Sequence, residues 1–451
     1  MTRGTSAETS VVVIGGGIAG VACSKQLAKH QVRVTLVDRN NYSQFQPMLY
    51  QVATAQIVST GVARSLRGLF RKRRTVAVKM ATVTEVDAAA KTVSCDDGTT
   101  YSGDYLVLAM GSRPNFFGTP GAEEHAFPLY SLADAQRLRS RILTVFEDAD
   151  RNPKLIDEGA LNFVIVGAGA TGVETAGALA DLINDVMPDR FHDLGLERAR
   201  VHVVDPGKVV LAPFSDKAHA YAAKMLTKKK VELVLGAKVA SVAADRVVLT
   251  DGREIMTRTV VWAGGIQGAA IAQKTGIEPG RGGRLDVGAD LTVAGYEGVY
   301  ALGDVANTLG PDGRPFPQLG SVAMQAGKWA ADNILADIDG KPRSAFKYRD
   351  KGIMAMVGHN AAIAEVGARR RELHGPFAFV AWLGVHAFLL EGFRARAEAF
   401  RSWTWDYFTK SRASALIDRP DAARIDWTGH DPTPFPTSRP SESTGPTELS
   451  G

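Results

Sequence analysis

The stretch Val11-Val-Val-Ile-Gly-Gly-Gly-Ile-Ala-Gly20 decides the fold of the N-terminal part of this chain. Its four β-branched residues predict a buried strand, and a helical run to about residue 30 follows the glycines. Gly15, Gly17 and Gly20 have the GxGxxG spacing. Glycine at these positions permits the tight turn, lets a pyrophosphate approach the backbone, and lets the helix pack closely on the strand. The stretch therefore predicts a dinucleotide site at a helix N-terminus.

A carboxylate ends the next predicted strand. Arg33 to Val37 form that strand, and Asp38 follows it. A carboxylate in this place accepts hydrogen bonds from the hydroxyl groups of a ribose. A glycine-rich turn in an ordinary α/β unit is the alternative interpretation. The order of strand, glycines, helix, strand and acid favours a dinucleotide.

The same pattern returns in the middle of the chain. Phe163-Val-Ile-Val166 predicts a strand, Gly167, Gly169 and Gly172 repeat the glycine spacing, and a later strand ends at Asp205. Two intact copies favour two bound dinucleotides over one site and a decayed copy. A carboxylate at Asp205 accepts from a 2′-hydroxyl and repels a 2′-phosphate, so NADH is preferred over NADPH.

Three further predicted strands end in glycine. The strands from Tyr105 to Gly111 and from Thr259 to Gly265 are placed to cross between domains, and a strand from Val299 ends in Gly303 and Asp304. Asp304 fits a plain turn as well as a binding role. In a protein that already holds a dinucleotide, it is well placed to bind ribityl or ribose hydroxyls.

The segment from Pro376 to Phe408 differs in character. Residues 376–390 carry no formal charge and are too few to span a bilayer. The arginine-bearing stretch after them is rich in aromatic residues, namely Phe393, Phe400, Trp403, Trp405, Tyr407 and Phe408. Helices of this kind suit a membrane interface. A dimer interface or a buried core shows much the same pattern, and both stay open.

Composition narrows the class of protein. The chain has 451 residues, a net charge of +5, and 45% hydrophobic and 22% charged residues, which is ordinary for a globular protein of more than one domain. Basic clusters near residues 64–74 and 394–412 fit solvated faces or anionic lipid, and no nucleic-acid recognition module accompanies them. Only Cys23 and Cys95 occur, so neither a disulfide framework nor a metal site is predicted. No secretory or membrane-spanning segment is found, so the catalytic body is expected to face the cytoplasm.

Several motifs resemble the type II NADH dehydrogenases, within the two-dinucleotide flavoprotein (pyridine nucleotide-disulfide reductase) superfamily. Beyond the two glycine patterns, the resemblance rests on Phe45-Gln-Pro-Met-Leu-Tyr-Gln-Val-Ala-Thr54, Gly172-Val-Glu174, Lys351-Gly-Ile-Met-Ala355, Trp382, His386 and Gly392-Phe-Arg394. It covers about residues 11–417. It implies a peripheral enzyme that passes electrons from NADH through FAD to a membrane quinone without pumping protons.

The resemblance also implies a role for each candidate residue. The FAD-binding residues would be Gly15, Gly17, Gly20, Asp38, Gly111, Gly303 and Asp304. NADH would be held by Gly167, Gly169, Gly172 and Asp205, with Glu174 beside the nicotinamide. An acid favoured by the helix dipole is the simpler interpretation of Glu174.

The quinone side departs from the pattern of the family. The Ala-Gln-x-Ala-x-Gln motif aligns with Gly320-Ser-Val-Ala-Met-Gln325, which keeps the second glutamine as Gln325 and has Ser321 in place of the first. Glu174 and Gln325 are therefore the predicted catalytic residues, with Ser321 bearing on which quinone is used, or whether one is used.

The expected organisation follows from the repeats and the resemblance. An α/β fold is predicted, with a discontinuous FAD-binding domain (1–125 and 290–340), an NADH-binding domain (126–289), a C-terminal amphipathic helical membrane-anchoring or dimer region (341–428) and a disordered tail (429–451). The protein is expected on the cytoplasmic face of the cell membrane. Two alternatives remain: a soluble NADH:acceptor reductase and a flavin-bound redox sensor.

Overall fold

The computed structural model describes residues 9–417, except residues 368, 391 and 413, so the predicted tail lies outside the described part. The α-helices, numbered in chain order, are α1 (Ile18–Lys29), α2 (Leu49–Ala53), α3 (Ser59–Val62), α4 (Leu66–Phe70), α5 (Ala122–His125), α6 (Leu132–Arg151), α7 (Lys154–Asp157), α8 (Ala170–Asp181), α9 (Asp216–Lys228), α10 (Gly320–Ile338), α11 (Pro376–Leu389) and α12 (Phe393–Thr409). Within the described residues, none of the helices combines the length and the apolar character needed to cross a membrane.

The strands are numbered in the same way. They are β1 (Ser10–Ile14), β2 (Arg33–Asp38), β3 (Tyr42–Gln44), β4 (Ala63–Ser65), β5 (Val76–Met80), β6 (Val83–Asp87), β7 (Thr92–Cys95), β8 (Thr100–Ser102), β9 (Tyr105–Leu108), β10 (Ser112–Pro114), β11 (Ala126–Pro128), β12 (Asn162–Val166), β13 (Arg200–Asp205), β14 (Val231–Leu235), β15 (Val239–Val242), β16 (Arg246–Leu249), β17 (Glu254–Met256), β18 (Thr259–Trp262), β19 (Ile266–Gly268), β20 (Leu285–Asp286), β21 (Val299–Ala301), β22 (Ala306–Asn307), β23 (Gly352–Gly358), β24 (Ala361–Val366) and β25 (Arg371–His374).

The first five-stranded sheet has the order β21-β9-β1-β2-β5, and its pairs are parallel. A parallel sheet is covered on both faces, which is why residues 11–14 of β1 are all apolar. Helix α10 packs along α1, and a Cβ added to Gly327 would lie 2.3 Å from the carbonyl oxygen of Ala19. A strand and a helix from late in the chain, β21 and α10, thus complete the unit that begins at β1.

The second five-stranded sheet repeats this design with the order β11-β18-β12-β13-β14, again parallel. Helix α8 follows β12, as α1 follows β1. The two segments that cross between the sheets also pair with each other, because β10 runs antiparallel to β19 with Ser112 opposite Gly268. The predicted pair of Rossmann-like units in an α/β fold is confirmed.

The C-terminal part contains more than the helices that the sequence indicated. An antiparallel sheet of order β23-β24-β25 precedes α11 and α12. It packs against α8, where a Cβ added to Gly177 would lie 2.4 Å from the carbonyl oxygen of Val357. This small sheet joins the C-terminal helices to the second Rossmann unit.

Candidate functional site

The first glycine loop has the geometry that a pyrophosphate needs. Gly15 has φ of 102°, and a Cβ there would lie 2.2 Å from the carbonyl oxygen of Ala109. A Cβ on Gly20 would lie 1.9 Å from the Gly15 oxygen, so helix and strand meet without side chains between them. Gly17 has open space beside it, with nothing within 4 Å. That space lies at the N-terminus of α1, where backbone N–H groups and the helix dipole favour an anion.

Asp38 lies at the end of β2 and braces this loop. One carboxylate oxygen accepts from the Gly16 N–H at 2.6 Å, and the other accepts from the Asn40 N–H at 2.7 Å. Burial raises the pKa of Asp38 above its usual range, although these two hydrogen bonds act in the opposite direction. Each oxygen keeps a second acceptor site for a ribose hydroxyl.

Asp304 lies just after β21, the strand at one edge of the first sheet. Burial raises the pKa of its carboxyl group, while the Ser112 hydroxyl and the Arg284 charge lower it. The Ser112 hydroxyl lies 3.2 Å from Asp304 Oδ2 and 2.7 Å from the Tyr130 hydroxyl. Gly111, with φ of 73°, turns the chain toward this cluster, and a Cβ there would lie 3.2 Å from the Tyr130 oxygen.

The second glycine loop is nearly a copy of the first. Gly167 has φ of 110°, and a Cβ there would lie 2.4 Å from the carbonyl oxygen of Ala263. A Cβ on Gly172 would lie 1.9 Å from the Gly167 oxygen, and Gly169 has nothing within 4 Å. Asp205 accepts from the Ala168 N–H at 2.8 Å. The matching geometry makes both loops fit a dinucleotide.

The residues present also fit FAD in the first unit. The open space at Gly17 accommodates a pyrophosphate. Asp304 is half-buried. Its backbone carbonyl accepts from the Gln318 amide and its carboxylate accepts from the Ser112 hydroxyl, which leaves acceptor capacity for ribityl hydroxyls. Gly303, with φ of 69°, makes the turn that brings Asp304 there. No group of three metal-binding side chains occurs among the described residues.

Glu174, although it lies on the helix of the second loop, faces the C-terminal sheet. Its Oε1 accepts a hydrogen bond from the Met356 N–H at 3.1 Å. Burial raises the pKa of Glu174 to about 8, against the lowering effect of the Met356 N–H and the Trp382 indole. The indole N–H of Trp382 interacts with the Glu174 carboxyl group. It is buried and makes no hydrogen bond of normal geometry.

A buried aromatic cluster surrounds Glu174. Trp382 stacks on His386 with ring centroids 3.7 Å apart and lies edge-on to Tyr50 and Trp403. Burial lowers the pKa of His386 to about 4, so its imidazole is neutral. Gln51 connects the cluster, because its amide donates to the Tyr50 hydroxyl and accepts from the Trp403 indole N–H at 2.9 Å.

Sequence reasoning missed this cluster as a unit. In the sequence, residues 45–54, Glu174 and the C-terminal aromatic residues are separate motifs, whereas the structure brings them together. The signal was the density of amide and aromatic side chains in Phe45–Thr54. Such side chains need partners when buried, and those partners come from α11 and α12.

Gln325 and Ser321 lie elsewhere, on the first turns of α10. Both ends of the Gln325 amide bond to the backbone of Arg349, at 3.1 Å and 3.0 Å. The Ser321 hydroxyl lies 2.9 Å from the Tyr348 hydroxyl. The two residues thus hold the extended segment that precedes β23 against α10.

A cavity of about 370 Å³ lies beside the aromatic cluster. Tyr50 and Gln51 lie at one side of it, and its apolar walls come from α11 and α12, including Phe379, Leu383 and Trp403. His359 and Asp406 supply polar groups to the same walls. An apolar cavity with a few polar groups suits a largely apolar ligand.

The cysteines take no part in these sites. Cys23 and Cys95 are free and buried, and burial raises the pKa of Cys23 to about 12. A thiol with so high a pKa is not a nucleophile at neutral pH.

Known proteins resemble this chain in sequence and in fold. The sequence pattern of the pyridine nucleotide-disulphide oxidoreductase family matches residues 9–327. A type II NADH:quinone oxidoreductase of Mycobacterium tuberculosis is 35% identical over 422 residues, which are 90% of each chain. The Staphylococcus saprophyticus type II NADH:quinone oxidoreductase is 29% identical, covering 80% of this chain and 90% of that one.

Solved structures share the fold. The NDH2 of Plasmodium falciparum in complex with NADH superposes with a TM-score of 0.82 at 18% identity, over 89% of this chain and 99% of that one. The sulfide:quinone oxidoreductase of Aquifex aeolicus gives a TM-score of 0.69 at 17% identity, over 89% and 96%. The chain belongs to the pyridine nucleotide-disulphide oxidoreductase family and, within it, to the type II NADH:quinone oxidoreductases.

Proposed function

We propose that this protein passes electrons from NADH through FAD to a quinone, without pumping protons. The observation that carries the proposal is the pair of matching glycine loops, each with an open middle glycine and an acid at the end of the next strand. A protein that binds only a flavin dinucleotide needs one such glycine loop. The second loop accounts for a nicotinamide dinucleotide as electron donor, as in the relatives named for that reaction.

Each part of the site has a distinct task in this proposal. Bound FAD would supply the redox chemistry, and hydride uptake from NADH would require no acid, base or metal from the protein. Asp38 and Asp304 hold the flavin nucleotide, and Asp205 holds the NADH ribose. We assign residues 1–125 and 290–340 to the FAD domain and residues 126–289 to the NADH domain.

Reduction of a quinone takes up two protons, and Glu174 is our candidate to hold one of them. With a pKa of about 8, its carboxyl group is mostly protonated at neutral pH. It lies within the cluster that borders the apolar cavity, beside Tyr50 and Trp382. Glu174 therefore holds a proton close to the route by which we expect the quinone to enter. Gln325 supports the neighbouring segment through its two bonds to Arg349.

We further propose that α11 and α12 dock on a membrane surface, on the cytoplasmic face. Large apolar side chains on these helices lie in solvent, namely Phe377, Val380, Phe388, Phe393, Trp405 and Phe408. Arg394 and Arg401 are exposed on the same helices and suit anionic headgroups. A lipid-soluble quinone would reach the cavity between these helices from that side. A homodimer that covers the same side chains is the alternative.

Two measurements on purified, FAD-loaded protein test the proposal. NADH added without oxygen should bleach the flavin absorbance, and a short-chain quinone should restore it. Bleaching that only artificial dyes reverse would favour a soluble NADH:acceptor reductase. A flavin that stays oxidised with NADH would favour a redox sensor and end the proposal.

Flotation with anionic liposomes, compared with the oligomeric state in solution, separates membrane docking from a dimer.

A further inference from the structure

Phe117 combines two features that are unfavourable for a phenylalanine. Its backbone has φ of 52°, in the left-handed region, and its side chain is 59% exposed. A bulky residue with positive φ is an outlier. The next residue, Gly118, also has positive φ, 64°, so the turn already has a glycine beside a position that keeps phenylalanine.

Hydrogen bonds hold the turn around Phe117 on the end of β18. The Asn115 side chain accepts from the Phe117 N–H at 2.8 Å. The Asn115 N–H donates to the Gly265 oxygen at 3.0 Å, and the Trp262 indole N–H donates to the Asn115 oxygen at 2.8 Å. The strained conformation is therefore imposed by the neighbours of Phe117 and not by packing of its own ring.

These bonds place the ring next to the second glycine loop. A Cβ added to Gly265 would lie 3.0 Å from Phe117 Cζ, so the ring covers that glycine. A Cβ added to Gly167 would lie 3.0 Å from Gly264 Cα, so the residue before Gly265 packs against the turn of the loop. Ligands of such sheets bind at the carboxyl ends of the strands, and β18 ends here.

Position in the sheet indicates which half of NADH is concerned. Asp205 marks the adenosine ribose at the end of β13, on one side of β12. Strand β18 lies on the opposite side of β12. A dinucleotide that extends across β12 from Asp205 therefore brings its nicotinamide half toward Gly265 and Phe117.

We infer that Phe117 is a substrate-binding residue whose ring packs against the nicotinamide half of NADH. The inference rests on the proposed function, because it takes the second glycine loop as the NADH site. A flat ligand that covers this ring would bury the part of it that is exposed in the free protein, and a strained residue of this kind is typical of a binding site.

Calorimetric titration of the FAD-loaded protein with NAD⁺ and with ADP-ribose tests this inference. ADP-ribose retains the adenosine half and lacks the nicotinamide. Phe117→Ala should weaken NAD⁺ binding about fivefold to tenfold, the size of one aromatic contact, and leave ADP-ribose binding unchanged. The KM for NADH should rise by a similar factor while the KM for quinone stays constant. Ile338→Ala, an exposed apolar residue at the end of α10, is the control and should change none of these values.

A second variant separates binding from structure. Phe117→Gly should bind NAD⁺ as weakly as the alanine variant, yet it should melt at the same or a higher temperature than the wild type, because glycine adopts positive φ without strain. The inference would be overturned by a lower melting temperature of Phe117→Gly. It would also be overturned by equal losses of affinity for NAD⁺ and ADP-ribose, or by unchanged NAD⁺ binding. If the wild-type protein binds neither NAD⁺ nor ADP-ribose, the proposed NADH site fails as well.

Discussion

The carboxylate of Glu174 accepts a hydrogen bond from the backbone N–H of Met356, which ties the helix of the second glycine loop to the C-terminal sheet. This bond is buried. It connects the unit that we assign to NADH with the part of the chain that carries α11 and α12. Glu174 is thus a structural connection and an ionisable group at once.

The first prediction concerns stability and pH. Because the folded pKa of Glu174, about 8, lies above its ordinary 4.5, the unfolded chain ionises first as the pH rises. Protonated Glu174 therefore contributes most to the free energy of unfolding below about pH 4.5, and this contribution declines as the pH rises to about 8. Glu174→Gln keeps an acceptor for the Met356 N–H and removes this decline. Its free energy of unfolding should fall less than that of the wild type across this window.

Chemical denaturation at several pH values measures this difference. Glu123→Gln replaces an exposed acid in the first turn of α5 and should behave as the wild type. A constant difference between Glu174→Gln and the wild type at every pH would contradict the prediction.

The second prediction concerns turnover. If Glu174 supplies a proton, quinone reduction should decline above about pH 8, where its carboxyl group is ionised. Glu174→Gln should lower kcat with quinone and abolish this limb of the pH profile. Ferricyanide takes up no proton, so its reduction by NADH should be nearly unaffected. An equal loss with both acceptors would show that Glu174 acts only through the structure.

The third prediction concerns the choice of nucleotide. Both oxygens of Asp205 accept from backbone N–H groups, one from Ala168 and the other from Gly207. Asp205→Asn keeps one of these acceptors and removes the charge that repels a 2′-phosphate. The ratio of kcat/KM for NADH to that for NADPH should narrow about tenfold, which corresponds to about 1.4 kcal/mol. Asp251→Asn, an exposed acid in the turn after β16, is the matched control. An unchanged ratio would count against the assignment of the second loop.

The fourth prediction concerns the membrane surface. Deleting the chain from Pro376 onward is a poor test, because α11 and α12 contribute the buried side chains of Trp382 and Ala399. The double substitution Phe377→Ser and Phe393→Ser removes rings that are 83% and 85% exposed. It should reduce flotation with anionic liposomes and leave the melting temperature nearly unchanged.

Leu373→Ser, on an exposed strand outside these helices, serves as the control for membrane binding. Full flotation of the double variant would refute docking through this face.

The fifth prediction concerns the aromatic cluster. Trp382 is fully buried and stacks on His386, so Trp382→Ala should lower the free energy of unfolding by about 3–5 kcal/mol. Trp403→Phe removes one hydrogen bond to Gln51 and should cost about 1 kcal/mol. Urea denaturation measures both values. Equal effects of the two substitutions would mean that packing of the Trp382 ring against Tyr50 and Trp403 does not hold α11 to the body.

The sequence by itself determined the two Rossmann-like units. Tight turns, close helix packing and a pyrophosphate each exclude a side chain, so Gly15, Gly17 and Gly20 and their later copies leave a pattern that can be detected in one dimension. A carboxylate that ends the following strand, as Asp38 and Asp205 do, is similarly local. These requirements act over a few neighbouring residues, which is why spacing alone reveals them.

Only the tertiary structure decided what the remaining motifs do. Gln51, Glu174, Trp382 and Trp403 come from four separate helices, and their partners are set by packing between residues up to 352 positions apart. For the same reason, the sequence does not predict the antiparallel sheet before α11 or the strained position of Phe117. Burial, a raised pKa and a backbone held at positive φ are properties of the assembled environment, and no local run of residues encodes them.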